Sequence, residues 1–365
     1  PALGTSAGNI GAEWNSGELV EIVLDDNDMN FDSRSQEQMT VASNTTIVPG
    51  IKIGSPITLA SLETLKYHDD DGTTSFTDTI DTAINDNTCS SDYQTAGNVA
   101  SYISCYEKYS ERAVVTNNLG VTHTLGDEDL LIFEYDGASV QTLKDLIGGA
   151  NGSAAFSYIN YDFRSLNGGS NSNNYYLNFT IGDEEASTAA ASATVGSNVS
   201  PSRFNTGLVG SVLINSPSDK LTGFSSLDAA DNLEVIVEIN VLNSATLNDL
   251  TLGTAYPLTM DFVTFGQSDD GKDASDRHNN SIYRLEVDEV DAAGGVFVGE
   301  LDFIMLNQLN VNQTSTYNIT KTDFEENRII VHNDLTDEDE IRINYLDLGA
   351  DGVETQVGDQ LAAPT

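Results

Sequence analysis

Positive charge is what this sequence has least of. Fifteen Lys and Arg stand against 57 Asp and Glu, a formal net charge of −42 over 365 residues. The surplus runs along the whole length and not in one acidic tail, so it belongs to a folded surface. Such a surface repels nucleic-acid phosphates and anionic lipid and gathers cations. Basic patches interleaved with aromatics are missing, so no nucleic-acid partner is expected. With a Debye length of roughly 8 Å at physiological ionic strength the field is local, yet a dense array of such molecules holds a cation-rich layer.

Other scarcities exclude more. No apolar run reaches the ~18 residues of a membrane span, so no direct membrane insertion is expected of this segment. The chain starts at Pro1 and ends at Ala363-Pro364-Thr365, as a fragment of something longer would. No Gly-X-Ser-X-Gly elbow, phosphate loop, His-Glu-X-X-His or dinucleotide fingerprint occurs, so no enzyme activity is expected. The four histidines, His68, His123, His278 and His332, stand singly among polar neighbours and read as surface or loop residues. Paired carboxylates for glycoside hydrolysis stay open, because spacing along a chain with 57 acids says nothing about separation in space. The single Trp14 argues mildly against sugar stacking.

Cysteine is limited to Cys89 and Cys105. In a secreted protein the pair would close a loop of about 15 residues, contributing roughly 3 kcal/mol; in a cytosolic one both would be buried thiols. Asn-X-Ser/Thr acceptors at Asn44, Asn151, Asn178, Asn279, Asn312 and Asn318 favour the extracellular reading, with Asn198 weakened by Pro201.

What is present is strand material: fourteen Tyr, thirteen Phe and many β-branched residues. Tyr283, Leu285 and Val287 alternate with Arg284, Glu286 and Asp288. After Gly294-Gly295, Phe297, Leu301, Phe303 and Met305 point inward and Glu300 and Asp302 toward water, which predicts a hairpin. Leu233, Val235, Val237 and Ile239 alternate with Glu234 and Glu238, and Ile341, Ile343 and Tyr345 with Arg342 and Asn344. Further strands are expected at 18–24, 57–67, 129–135, 154–163, 174–181 and 207–214. Helical spacing marks Val99, Tyr102, Ile103 and Tyr106, and Val140, Leu143, Leu146 and Ile147 behind a Ser139 N-cap. The expectation is an all-β protein of serial immunoglobulin-like β-sandwich domains. The first, 1–216, carries long insertions (one near 78–118) and one or two short helices. The second is 217–350, and 351–365 links to a further domain.

Acidic residues bunch in loops, and Ca²⁺ takes six to eight oxygen ligands from such loops. Asp26, Asp28 and Asn30 occupy alternate positions, with Glu37 where an EF-hand places its bidentate carboxylate. Phe31 stands in place of the turn glycine and a strand precedes the loop, so this is no strict EF-hand. Asp69, Asp71, Asp269 and Asp270 are further candidate ligands, and solvated loop charge is the alternative for each cluster. Mutual repulsion predicts stability that depends on Ca²⁺.

Several stretches resemble the surface-layer proteins of ammonia-oxidising archaea. They are Ile282 to Leu301 with its Gly294-Gly295 turn, Phe303 to Asn307, Asp334 to Asp339, Asn344 to Gly352, Val20 to Asp28 and Ile159 to Leu166; segment 80–115 matches nothing in that family. The resemblance implies a glycosylated, cation-held two-dimensional lattice of further copies of the chain outside the cell, admitting ammonium through an acidic porous coat. The alternatives are a calcium-dependent modular adhesin and a secreted hydrolase from a saline habitat.

Overall fold

The computed structural model describes residues 2–5, 16–43, 46–68, 82–83, 105–107, 110–116, 123–124, 129–148, 154–167, 175–183, 203–215, 227–228, 230–241, 249–251, 254–267, 277–305, 327–331, 342–348 and 354–357. In chain order the strands begin with β1 (Ala2–Thr5), β2 (Val20–Asp25), β3 (Gln38–Met39), β4 (Gly50–Ile53), β5 (Leu62–His68), β6 (Thr82–Ala83), β7 (Cys105–Glu107) and β8 (Arg112–Thr116). They continue with β9 (His123–Thr124), β10 (Asp129–Ser139), β11 (Ala154–Asp162), β12 (Tyr175–Asp183), β13 (Arg203–Thr206), β14 (Val209–Asn215), β15 (Asn232–Val241) and β16 (Asp249–Leu250). Last come β17 (Ala255–Gln267), β18 (Arg277–Arg284), β19 (Val287–Glu289), β20 (Val296–Met305), β21 (Asn327–Val331), β22 (Tyr345–Leu348) and β23 (Glu354–Val357).

Three sheets carry most of these strands. The central one orders β14-β11-β17-β18-β4, with β8 and then β7 added along β17. The first outer sheet runs β13-β12-β15-β10-β5-β6, and the second β1-β2-β20-β19-β3 with β21 alongside β20. Pairing is antiparallel except between β20 and β21.

The central sheet is buried on both faces. Successive side chains of a strand point to opposite sides, and those of β11 and β17 enter different cores. Ile159, Tyr161, Leu258, Met260 and Phe262 join the first core, facing Phe133, Leu177, Phe179, Val235 and Val237 of the first outer sheet. Tyr158, Val263 and Phe265 join the second, with Ile22, Leu24, Phe297, Leu301 and Phe303 of the second outer sheet. Aromatic rings knit the first core: Phe133 stacks on Phe163 at 5.8 Å, and Tyr161 lies 4.9 Å from Phe179.

One α-helix, α1 (Val140–Gly148), packs Val140 and Leu143 onto the first core. Ser139 caps it as expected: its Oγ accepts from the Thr142 amide at 3.1 Å while Thr142 Oγ1 accepts from the Ser139 amide at 3.3 Å. The 99–106 helix is not borne out at its described end, since Cys105–Glu107 is strand; residues 99–104 lie outside the described residues.

The expected division at residues 216 and 217 is corrected by the pairing. β15 lies between β10 and β12, β17 between β11 and β18, and β2 beside β20, so each large sheet draws strands from both sides of that point. An alternating pattern says which side chains are buried but not which strand is the neighbour. Nor is 78–118 wholly an insert, because Ala113–Thr116 pairs with Ala255–Leu258 in the central sheet. Glu354–Val357, placed in a linker, forms a hairpin with Tyr345–Leu348.

The Gly294-Gly295 hairpin forms, but only at its tip. Asp288 pairs with Val298 and Glu289 with Phe297, while β18, just upstream, belongs to the central sheet beside β4. Gly295 is required there: its φ is +61°, and an added Cβ would lie 2.8 Å from Asn27 Cα.

Candidate functional site

The loop from Asp26 to Glu37 is folded against this hairpin. Asp26, 1% exposed, caps a short 3₁₀ helix at Asn27–Met29, its Oδ1 accepting from the Asp28 amide at 3.1 Å and its Oδ2 from the Tyr345 hydroxyl at 2.8 Å. Asp28 is exposed. Asn30 Nδ2 donates to Ala292 O (3.1 Å), Gln36 Nε2 to Val290 O (2.7 Å) and the Glu37 amide to Glu289 Oε2 (3.1 Å). Glu37 Oε1 accepts from the Asp32 amide at 2.6 Å. Alternate spacing thus does not gather Asp26, Asp28 and Asn30 around one point; Asp26 serves as a cap turned inward. Two oxygens, Asn30 Oδ1 and Glu37 Oε2, are buried without a hydrogen-bond partner. No group of three or more His, Cys, Asp and Glu able to hold a metal occurs among the described residues.

Asp69, Asp71, Asp269, Asp270, Cys89, Asn44, Asn151, Asn312 and Asn318 lie outside the described residues. Asn178 sits half-buried on β12, its Nδ2 3.5 Å from Glu238 Oε2. Asn279 is corrected as a glycan acceptor: it is 4% exposed and its Nδ2 donates to Ile330 O, which leaves a sugar no room on that nitrogen.

The sequence reading missed several buried charges on and beside the sheets. Arg284, paired in the alternation with outward residues, is 1% exposed and grips Asp261 through both Nη atoms. Its remaining donors go to the carbonyls of Ser110 and Glu111. Glu111 holds φ +47°, a conformation that costs a non-glycine residue energy, and its carboxylate receives Lys52 Nζ at 2.6 Å and the Thr58 hydroxyl. Arg112 buries its guanidinium among the carbonyls of Val41, Ser43 and Thr46. Arg164 Nη2 bridges Asp162 and Glu286, each at 2.6 Å. Asp302, expected in water, is 4% exposed beneath Arg328, and Glu234 is buried as well.

Burial pushes Asp261 above the usual carboxylate range, against the pull of Arg284. Burial likewise raises Glu286, opposed by Arg164 and the Val41 amide. For Arg164 burial disfavours the charge, yet Asp162 and Glu286 hold it above its ordinary value. The sequence signal available was a lone charge inside an apolar run, as in Met260-Asp261-Phe262 and Tyr283-Arg284-Leu285.

Both signs of charge are found inside: Asp26, Glu111, Asp129, Asp162, Glu234, Asp261, Glu289 and Asp302 are buried, as are Arg112 and Arg284. Arg164 and Arg328 are partly buried in ion pairs, and Lys52 is exposed while paired with Glu111. Lys144 donates to Leu227 O at 2.8 Å. Glu18, Glu21, Asp25, Asp28, Asp32, Asp145, Asp228, Asp288, Asp291 and Glu300 are exposed, and so are the basic residues Arg34, Lys52 and Arg342. The exposed surface of the described residues is predominantly anionic, as the composition implies. No protein-family model matches the chain, and no curated protein matches it. The class that fold and charge define is an all-β protein of stacked, mostly antiparallel sheets with an acidic exterior. Among the described residues no helix is long and apolar enough to cross a membrane.

Proposed function

We propose that this chain is a structural module of an extracellular cell-surface lattice, a surface-layer protein whose acidic porous coat attracts small cations such as ammonium, with no bond-making step. The observation that carries the reading is the acidic exterior on stacked sheets: Glu18, Glu21, Asp25, Asp28, Asp32, Asp145, Asp228, Asp288, Asp291 and Glu300 are exposed, against Arg34, Lys52 and Arg342 among the described residues. A surface so charged raises the local cation concentration. The sandwiches on either side of the central sheet are, in this reading, its immunoglobulin-like units. Its partners are further copies of the chain, its glycans sit on the acceptors that remain accessible, and Cys89 is bonded to Cys105.

Ca²⁺ is the ion proposed to hold the coat together. The two partnerless oxygens, Asn30 Oδ1 and Glu37 Oε2, favour the Asp26–Glu37 loop as one place for it. Electron microscopy of the purified protein tests the proposal: ordered two-dimensional sheets are expected on adding Ca²⁺, dispersing with chelator. Particles that stay dispersed in both conditions would overturn it, and a dispersed form that binds a ligand only with Ca²⁺ would favour the adhesin. The melting temperature should rise with Ca²⁺; equal values with Ca²⁺ and with chelator would remove the ion from the proposal.

A further inference from the structure

Strand register places four polar side chains on one cell of the central sheet, on the face turned toward the second core. Asn160 lies opposite Asp261, and Asp162 opposite Thr259. The next pair along, Tyr158 opposite Val263, enters the second core, which fixes the direction all four face. All four are at most 1% exposed. The carboxylates occupy one diagonal of the cell and are held by arginines, Asp162 by Arg164 and Asp261 by Arg284. The other diagonal is different: Asn160 Nδ2 and Thr259 Oγ1 are buried and have no hydrogen-bond partner.

Two partnerless polar groups facing one another in a low-dielectric interior are costly, because each has given up water and received nothing. Diagonal neighbours of an antiparallel pair have Cα atoms about 7–8 Å apart and Cβ atoms somewhat closer. That span suits one small molecule at hydrogen-bond distance from both side chains and is too short for anything larger. The Ser211 hydroxyl bonds Asn160 Oδ1, which turns the amide nitrogen, a donor, toward the cell. A donor at this corner disfavours a cation. The two diagonal carboxylates already face a guanidinium each, so the cell is balanced in charge without one.

We propose that this cell binds one internal water molecule, accepting from Asn160 Nδ2, hydrogen-bonding Thr259 Oγ1 and donating to Asp261. Arg284 leaves Asp261 lone-pair capacity for that bond, since two of about four acceptor positions are taken. A water with three such partners is an ordinary component of a protein interior and costly to remove. It also ties the Asp261–Arg284 pair to the strand carrying Asp162.

The test is a crystal structure of the intact chain together with Thr259→Val, which removes the hydroxyl and keeps the shape. A single density peak within hydrogen-bond distance of Asn160 and Thr259 is expected. The variant should melt a few degrees lower, and magnetic relaxation dispersion should count one fewer long-lived water. A higher melting temperature for the variant would show that the hydroxyl is bare in the native protein and overturn the proposal. So would an empty cell, or density coordinated as a metal or ammonium ion. If the variant does not fold, density in the parent protein decides alone.

Discussion

The two faces of the central sheet are built from the same strands yet held by different physics. Toward the first outer sheet, Ile159, Tyr161, Met260 and Phe262 meet an apolar layer of rings and branched chains. Toward the second, Asn160, Asp162, Thr259 and Asp261 share the surface with Tyr158, Val263 and Phe265, and Arg164 and Arg284 hold the two carboxylates. Apolar packing tolerates any partner of suitable volume. A buried ion pair tolerates only its own partner, because either half alone is an uncompensated charge. The ionic face thus fixes which segments lie beside Asp162 and Asp261, while the apolar face supplies most of the driving force.

The largest expected effects break the two faces in turn. Phe133→Ala on the apolar side should cost about 3–5 kcal/mol through lost transfer energy and a cavity. Arg284→Met on the ionic side should cost a similar ~3–5 kcal/mol by stranding Asp261. The faces differ in rescue: adding Asp261→Leu to Arg284→Met should recover much of the loss in urea denaturation. A double variant no more stable than Arg284→Met would mean the pair is not what that face depends on.

A smaller effect is expected from pH. Asp261 and Glu286 have pKa values raised by burial, so the folded state holds protons that the unfolded chain has released. Their contribution is fully present below the unfolded values of about 4 and is lost as pH rises through the folded ones. Self-repulsion of a chain at −42 acts with the same sign. Melting temperature should therefore fall as pH rises above about 4, with a shallower slope in Glu286→Gln; a melting temperature that rises with pH there would contradict the assignment. The smallest effect belongs to the apolar side, where Ser139→Ala removes the α1 cap at a cost of about 1 kcal/mol, read by thermal unfolding.

Much of the fold was legible in the sequence. The expected strands at 129–135, 154–163 and 174–181 correspond to β10, β11 and β12 within a few residues, because residues buried on one face announce themselves by alternation. The α1 helix and its cap were legible for the same local reason. The candidate site was legible only in part. Asp26, Asn30 and Glu37 do lie in one folded loop, but Asp26 is a cap and its spacing does not assemble a cluster. Arg284 and Asp302 were read as outward because a charge in an alternating strand is outward when one sheet face meets water. Arg284 is in the central sheet, whose other face is also covered, and Asp302 is covered by Arg328 of the neighbouring strand.

The sequence by itself determined the class of structure and the sign of the surface, since period-two patterning and a 57 to 15 excess of acids need no knowledge of neighbours. Only the tertiary structure decided which strands pair across the chain, that one sheet is covered twice, and that Arg112 and Arg284 are buried among carbonyls and a carboxylate. Those facts depend on contacts between residues such as Val20 and Leu301 or Arg164 and Glu286. The free energy of such contacts comes from burial and charge pairing in space, and local sequence does not encode the partner.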